Sequence, residues 1–549
     1  MSMKNTVRYL ARFKVETASA LTIGSGQTGL LNERLIVRDA NALPYIPGTA
    51  LAGIIRHTLS DGQSAASASF VDVVEEIWGY QKGDQGLGSR IHFSDAILIG
   101  PEGETILEGL QEVDMNHEYF KNLLYLPERD HVRINHKGAA KQHAKFEEQL
   151  VPRGVRFMFE LELEGTSKDR EIWMQIMAIL RHPSFRVGAG TRRGFGALKV
   201  LECQEEMYDL SEKDQLKCYL DNSASLNSAL LPNPQRDSEN PQERSKSEAA
   251  MISGWRQYRL TIRPRDFFLF GAGVPEGRIN MPPKKEAFFE WSNNSATLSE
   301  AYYLIPATSI KGALAHRLAF HWNKLEGQTI EGSETLSADL SSSGFDMTEA
   351  LSELDIDLDI ELMNYGFEAS DWGNWAKQVE ALTIDDSKHW KAFLEEMEER
   401  KNNKAAELYP VGEQNFAVRT IMGYAKNSNN EGEEETGARG RLLLSDVYLT
   451  AAQVSTKTFT HVAIDRFTGG GIDGALFQEE VITTDEDIEL DLFLAEDLGV
   501  DPEDTETEQQ LLRAFEATLD DLCAGRLPLG GNTMKGHGVF TGDIEKVKS

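Results

Sequence analysis

The 549-residue sequence predicts an α+β protein made of two tandem copies of one elaborated ferredoxin-like (RRM-like) unit, each with a protruding β-hairpin. Three observations carry this reading. Four pairs of segments recur in the same order, and a repeat at that spacing means a duplicated unit. Each copy runs through the same strand–helix–strand–strand–helix–strand order. The chain is 40% hydrophobic and 26% charged, which supplies enough apolar material for real cores.

The paired segments are LPYIPGTALAGIIRHTL (43–59) with YLIPATSIKGALAHRLA (303–319), and IWGYQKGDQGLGSRIHFSDAIL (77–98) with IMGYAKNSNNEGEEETGARGRLLLSDVYL (421–449). DHVRINHKGAAKQHAKFEEQLV (130–151) follows with THVAIDRFTGGGIDGALFQEEVI (460–482), then RVGAGTRRGFGALKV (186–200) with PLGGNTMKGHGVFTG (528–542). Four collinear matches are not chance. They assign residues 1–222 to a first domain and 254–549 to a second. Residues 223–253, rich in Ser, Asn, Pro and charge, read as a flexible linker. An insert at about 325–418, acidic but holding Trp372, Trp375, Trp390 and Phe393, reads as a small helical subdomain.

Element by element, YLARFKVET and WRQYRLTIRP alternate as first strands. A glycine-containing hairpin follows, then Pro47 and Pro306 ahead of a helix with Thr49 and Thr308 as N-caps. RIHFSDAIL and RLLLSDVYL, then VRFMFELEL and DIELDLFL, supply two more strands. REIWMQIMAILRH and EQQLLRAFEATLDDLC have the helical period, and ALKVLEC and GVFTGDI close each sheet. The third repeat, too polar for core and too regular for disorder, reads as the protruding hairpin.

The net charge of −32 is concentrated in two blocks. Residues 326–410 hold 21 acids against 6 bases, and 479–508 hold 14 acids and no base. The remainder is near neutral, so the acidic pI does not exclude a polyanionic partner. Both blocks read as solvated faces. Three cysteines without a CxxC pair fit a reducing cytoplasm and no thiolate metal site. No apolar run reaches about 18 residues, so a membrane span is not expected.

The glycine loops place Gly190, Thr191, Arg192 and Arg193 in one copy and Gly531, Asn532 and Lys535 in the other. Such loops suit phosphate, with backbone N–H groups and cations; they equally suit a tight helix-to-strand turn needing positive φ. Neither fits GxGxxG or GxxxxGK[ST]. The helix after IPxT adds Arg56 and His57, and Lys311, His316 and Arg317, at an N-terminus suited to anions or on a merely solvated face. No HExxH, Cys/His set or GxSxG occurs, so hydrolysis would need a carboxylate, with or without a divalent metal.

The collinear set of LPYIPGTALAG, the FSDA strand, HVAIDRFTGGGIDGALFQEE and the terminal glycine loop resembles the RAMP superfamily over roughly 5–202 and 255–545. Within it the chain resembles the backbone subunit of type III CRISPR effector complexes, in a double-backbone fusion similar to the subtype III-D variant. The resemblance implies a cytoplasmic, antiviral ribonucleoprotein subunit with CRISPR guide RNA, complementary target RNA and the neighbouring backbone, large and small effector subunits as partners, and no membrane. Arg56, Lys311, His316, Arg133, His136, Lys137, His461, Arg466 and the glycine-loop residues would contact RNA. The hairpin would be a thumb that flips out one nucleotide at intervals of about six. A family Asp that cuts target RNA corresponds here to Glu33 and Glu286, with Asp39 and Asp266 nearby, and Mg²⁺ or Mn²⁺ could assist. Two other readings remain: a non-catalytic scaffold, and a guide-precursor processing endoribonuclease using His57 or His316 for acid–base chemistry.

Overall fold

The computed structural model describes residues 5–26, 35–61, 68–103, 105–114, 116–134, 140–234, 254–327, 410–424 and 437–547. The acidic insert lies almost wholly outside these residues, as do Glu33, His136 and Lys137. The first domain begins with β1 (Val7–Thr17), α1 (Gly48–Asp61) and α2 (Ala68–Trp78). A small hairpin, β2 (Tyr80–Lys82) and β3 (Gln85–Leu87), leads to β4 (Ile91–Phe93), β5 (Ile97–Leu98) and α3 (Glu118–Leu124). Next come the long hairpin β6 (Glu128–Ile134) and β7 (Ala140–Gln149), then β8 (Arg156–Gly165), α4 (Arg170–Arg181), β9 (Leu198–Asp209) and α5 (Lys213–Asp221).

These strands form an antiparallel sheet in the order β4-β8-β1-β9, with β5 also on β8. The period-2 pattern of VRYLARFKV and RFMFELELEG turns Tyr9, Phe13, Phe157, Phe159 and Leu161 to one face, where Phe13 stacks on its register partner Phe159 at 5.1 Å. Helices α1 and α4 close that face through Leu51, Ile55, Trp173 and Ile176. RIHFSDAIL is not one strand: the chain breaks at Ser94 and Asp95, which lie between β4 and β5.

The opposite face of β1 is covered as well. Residues 223–234, assigned to a linker by composition, pack there: Leu230 joins Leu10 and Tyr208, and buried Arg12 donates to the carbonyls of Ser223, Ser225 and Ser228. Arg12 stops those carbonyls from being lost to an apolar face, and this tethers a stretch whose own apolar content is low.

The second domain repeats the plan. It contains β10 (Trp255–Pro264), β11 (Lys285–Glu286), the hairpin β12 (Phe289–Ser292) and β13 (Ser295–Leu298), β14 (Tyr302–Ile305) and α6 (Ala307–Leu325). After the undescribed stretch come α7 (Phe416–Met422), β15 (Gly423–Tyr424), β16 (Ala438–Arg439), β17 (Leu442–Leu444) and β18 (Val447–Leu449). The long hairpin β19 (Ser455–Ile464) and β20 (Gly471–Thr483), β21 (Ile488–Ala495), α8 (Thr505–Cys523) and β22 (Phe540–Val547) complete it. Its sheet runs β17-β21-β10-β22, the same order as the first. Leu260, Leu490 and Leu492 bury against Leu314 and Leu318 of α6 and Phe515 and Leu519 of α8. Each such side chain contributes about 1.5–3 kcal/mol, so trimming Leu314 to Ala costs about 2–5 kcal/mol.

The two domains share a core. The lengthened aromatic loop of the second copy folds into β12–β13 and inserts into the first domain, where Phe289 and Ala296 are buried and Phe289 meets Tyr119 at 4.7 Å. The Trp291 indole donates to the Gly154 carbonyl at 2.6 Å, and the Arg156 guanidinium covers its ring at 3.9 Å. Among the described residues no helix is long and apolar enough to cross a membrane.

Candidate nucleic-acid interface

The first helix of each domain is capped from far along the chain. The N-caps expected at Thr49 and Thr308 are not used. These threonines fall inside the first turn, and a carboxylate from the FSDA or LSDV motif takes the amide: Asp95 accepts from Gly48 N–H and Asp446 from Ala307 N–H, both at 2.8 Å. A full negative charge outdoes a hydroxyl at the positive end of a helix.

Asp446 also anchors the domain junction. Arg129, at the base of the first hairpin, donates from Nη1 to Asp446 Oδ2 at 2.7 Å and grips Glu286 with Nε and Nη2 at 2.8 and 2.5 Å. Burial opposes the Arg129 charge; Asp446 and then Glu286 outweigh it and push its pKa above the usual value. Glu286, a candidate catalytic carboxylate, is thus in β11 with both oxygens bound to a buried guanidinium. Divalent magnesium or manganese needs several free oxygens, and here the guanidinium lies between the two nearest carboxylates; this site does not fit a metal. Among the described residues no group of three or more His, Cys, Asp or Glu could hold one. Asp39 closes its own turn, accepting from Asn41 and Leu43 N–H at 2.8 and 2.9 Å. Asp266 is exposed, and its carbonyl accepts from the Thr483 hydroxyl.

The base of each long hairpin is bolted to its glycine loop by a matching Glu, His, Phe and loop cation, with an Asn added in the second domain. In the first domain Glu148 of β7, 0% exposed, receives Arg193 at 3.0 Å and has the His131 imidazole 3.0 Å from its other oxygen; the His131 ring stacks on Phe146 at 4.9 Å, and Arg193 covers Phe146 at 5.2 Å. In the second, Glu479 of β20, also 0% exposed, receives His461 at 2.6 Å, Lys535 at 3.3 Å and the Asn532 amide; His461 stacks on Phe477 at 4.8 Å, and Lys535 covers it at 5.0 Å. Burial would raise both carboxyl pKa values; the imidazole and cation contacts more than offset it and hold both below the ordinary range. Neither Glu148 nor Glu479 stood out in the sequence, though both sit two residues after the Phe of FEEQLV and FQEEVI. Glu479 also belongs to an acidic block that reads as a solvated face, and it is buried.

The glycines of these loops have a backbone reason to be there. A Cβ at Gly196 or Gly538, with φ of 78° and 76°, would stand 2.0 or 1.9 Å from the Val187 or Leu529 carbonyl. Loop amides are engaged within the domain: Gly196 N–H donates to Ala20, Gly531 to Leu269 and Gly538 to Phe267. Gly190 and Asn532 both take left-handed backbone at the start of a short 3₁₀ turn, with Thr191 buried behind.

The first loop is sealed against the second domain. Arg192 donates to the Gly440 carbonyl and lies over the Trp255 ring, and the Lys311 ammonium donates to the Arg192 and Met422 carbonyls at 3.1 and 3.0 Å. Burial, with Arg192 and Arg193 adding repulsion, pushes the Lys311 pKa down to about 8. The equivalent second loop is open: Met534, in the place of Arg192, is 99% exposed.

The remaining candidates scatter. Arg56 is half-buried on α1; His57 and His316 are exposed on α1 and α6; Arg317 pairs with Asp521. Arg133 is in β6, its side chain outside the description. Arg466 is exposed in the turn of the second hairpin. Beyond the bolted bases, both hairpins expose β-branched residues at equivalent places, Val132 and Ile134 in one and Val462 and Ile464 in the other, and Phe467 projects fully into solvent.

A search of curated proteins finds no match to this chain. The RAMP superfamily model matches residues 14–199 and 296–541, one stretch in each domain, with the linker and most of the β12–β13 hairpin excluded. Two duplicated sheets, each with a bolted hairpin and a glycine loop, therefore belong to one family: the chain is a member of the RAMP superfamily with two RAMP domains.

Proposed function

We propose that this protein is the guide-RNA-binding backbone subunit of a type III CRISPR effector ribonucleoprotein, with two ferredoxin-like domains whose hairpins act as thumbs on a guide–target duplex. Membership of the RAMP superfamily supports a CRISPR-associated, RNA-binding role. The single observation that carries the finer reading is the pair of hairpins: each is rigid at its base through a buried Glu and apolar and exposed beyond it. An apolar wedge on a fixed mount is what unstacking a base requires, because unstacking costs a few kcal/mol that a limp hairpin would not supply. The sheet order supports the ferredoxin-like assignment. The exposed second glycine loop supports a neighbouring subunit at that end.

Cleavage divides between the copies. Glu286 is held by Arg129, which favours the scaffold reading for the second domain. Any target cut made by this chain falls to the first domain, where Glu33 lies outside the described residues. The test is chemical probing of guide RNA in the assembled complex. Two reactive, unstacked nucleotides are expected, one lost in Val132→Ser/Ile134→Ser and the other in Val462→Ser/Ile464→Ser. Unchanged reactivity in both variants overturns the thumb reading. Glu33→Ala should erase the target cut with binding intact; a surviving cut assigns it to Asp39 or to another subunit.

A further inference from the structure

A cavity of about 790 Å³ lies between the domains, apart from the hairpins and glycine-loop clusters. Arg153, Arg181, Arg186 and Lys199 line it from the first domain, and Arg259 and Tyr448 from the second. Its acids are Asp446, Glu489 and Asp491. Asp491 is paired with Arg259 at 2.8 Å, and Asp446 shares Arg129, at 2.7 Å, with Glu286. Arg181 is paired with Glu205 at 3.5 Å. Arg153, Arg186 and Lys199 then face Glu489 and a partly compensated Asp446, which leaves the cavity a small excess of positive charge.

Arg186 is the informative residue. Its side chain is buried, 4% exposed, and its Nη2 donates to the Ser445 hydroxyl at 2.9 Å. Among the described residues its Nε and Nη1 meet no hydrogen-bond partner. Nε and Nη1 lie on different edges of the guanidinium, so Arg186 keeps N–H groups that can each donate to an anion's oxygen, and an unpaired buried charge is costly enough to need a reason. Burial pushes its pKa down to about 10, with Asp446 opposing, so it is charged at neutral pH.

The size argues against a bare anion. The volume falls within the roughly 300–1,000 Å³ of small-molecule sites, far more than one phosphate fills. The walls beside the cations are apolar or aromatic, with Leu198, Val447 and Phe493 available to an organic group. We propose that this interdomain cavity binds a small phosphate ester of mononucleotide size, with its phosphate on the Arg186 guanidinium and its organic part against the apolar wall. The site is independent of the RNA-binding reading.

The test is calorimetric titration of the full chain with AMP, and with adenosine as the probe lacking phosphate. Saturable AMP binding at one site per chain is expected, with adenosine at least about 10-fold weaker. Arg186→Met should weaken AMP by about 10- to 100-fold, the range for hydrogen bonds to a charged group, and Arg186→Lys should restore part of it. Lys199, exposed at the rim, gives a variant with no buried consequence: Lys199→Met should weaken AMP by about 2- to 5-fold. If Arg186→Met does not fold, the adenosine comparison and Lys199→Met decide. No saturable AMP binding overturns the proposal, as does unchanged affinity in a folded Arg186→Met. Displacement of AMP by an RNA oligonucleotide that itself needs Arg186 would assign the cavity to the RNA path and overturn it too.

Discussion

Arg129 and Asp446, 317 residues apart in the chain, meet at 2.7 Å in the junction between the domains, and the same Asp446 caps helix α6 with its other oxygen. One carboxylate thus couples the first hairpin, the second domain's main helix and, through Arg129, Glu286.

Breaking that clasp should be expensive. Arg129→Met leaves buried Asp446 and half-buried Glu286 without their cation, and a loss of about 3–5 kcal/mol is expected in chemical denaturation. Asp446→Asn, which keeps an acceptor for Ala307 N–H, should cost about 1 kcal/mol less than Asp446→Ala. Equal losses for Asn and Ala would mean the cap contributes nothing.

Glu286 should behave as a structural residue. Glu286→Ala is expected to lower the melting temperature while leaving the target cleavage pattern of the assembled complex unaltered. Loss of one product band on a sequencing gel would contradict that and return Glu286 to the chemistry.

The hairpin bolts should show themselves in acid. Both Glu148 and Glu479 have folded pKa values below the ordinary carboxylate range, so their contribution is present above about pH 4.3 and is lost as pH falls through the folded value. Glu148→Gln and Glu479→Gln should each be less stable than the parent at pH 7, with the difference shrinking towards pH 3. A difference that does not change between pH 7 and pH 3 would show that the charge is not what holds the hairpin.

Lys311 has the opposite sign. Its folded pKa of about 8 lies below the usual lysine value, so the folded state sheds its proton first. The cost of holding the ammonium is fully present below pH 8 and is relieved as pH rises from about 8 to about 10.4. Relative to Lys311→Met, the parent should therefore gain stability across that window. Parallel melting curves for the two proteins from pH 7 to pH 10 would refute it.

Salt should report an exposed cation. Arg466 is exposed in the hairpin turn, whereas Arg193 and Lys535 are tied to buried carboxylates. Arg466→Ala should flatten the log–log salt dependence of guide binding by about 1 unit. An unchanged slope would take the second hairpin turn off the RNA backbone.

The duplication, the strand and helix order, the two long hairpins as paired strands and the family were legible in the sequence, because each rests on local periodicity or on motifs short enough to read within one segment. WRQYRLTIRP is the strand Trp255–Pro264 residue for residue, since an alternating pattern states both its conformation and its buried face. What the tertiary structure alone decided is which charges meet. Thr308 was the local choice for a cap, yet Asp446 takes it from 139 residues away; Arg193 and Lys535 suggested phosphate, yet Glu148 and Glu479 hold them; Glu286 suggested catalysis, yet Arg129 occupies it. A side chain's type records its charge but not its distance to a counter-charge, and that distance, together with burial, sets whether the charge is free to act. Only the closed chain brings those partners to within 3.3 Å.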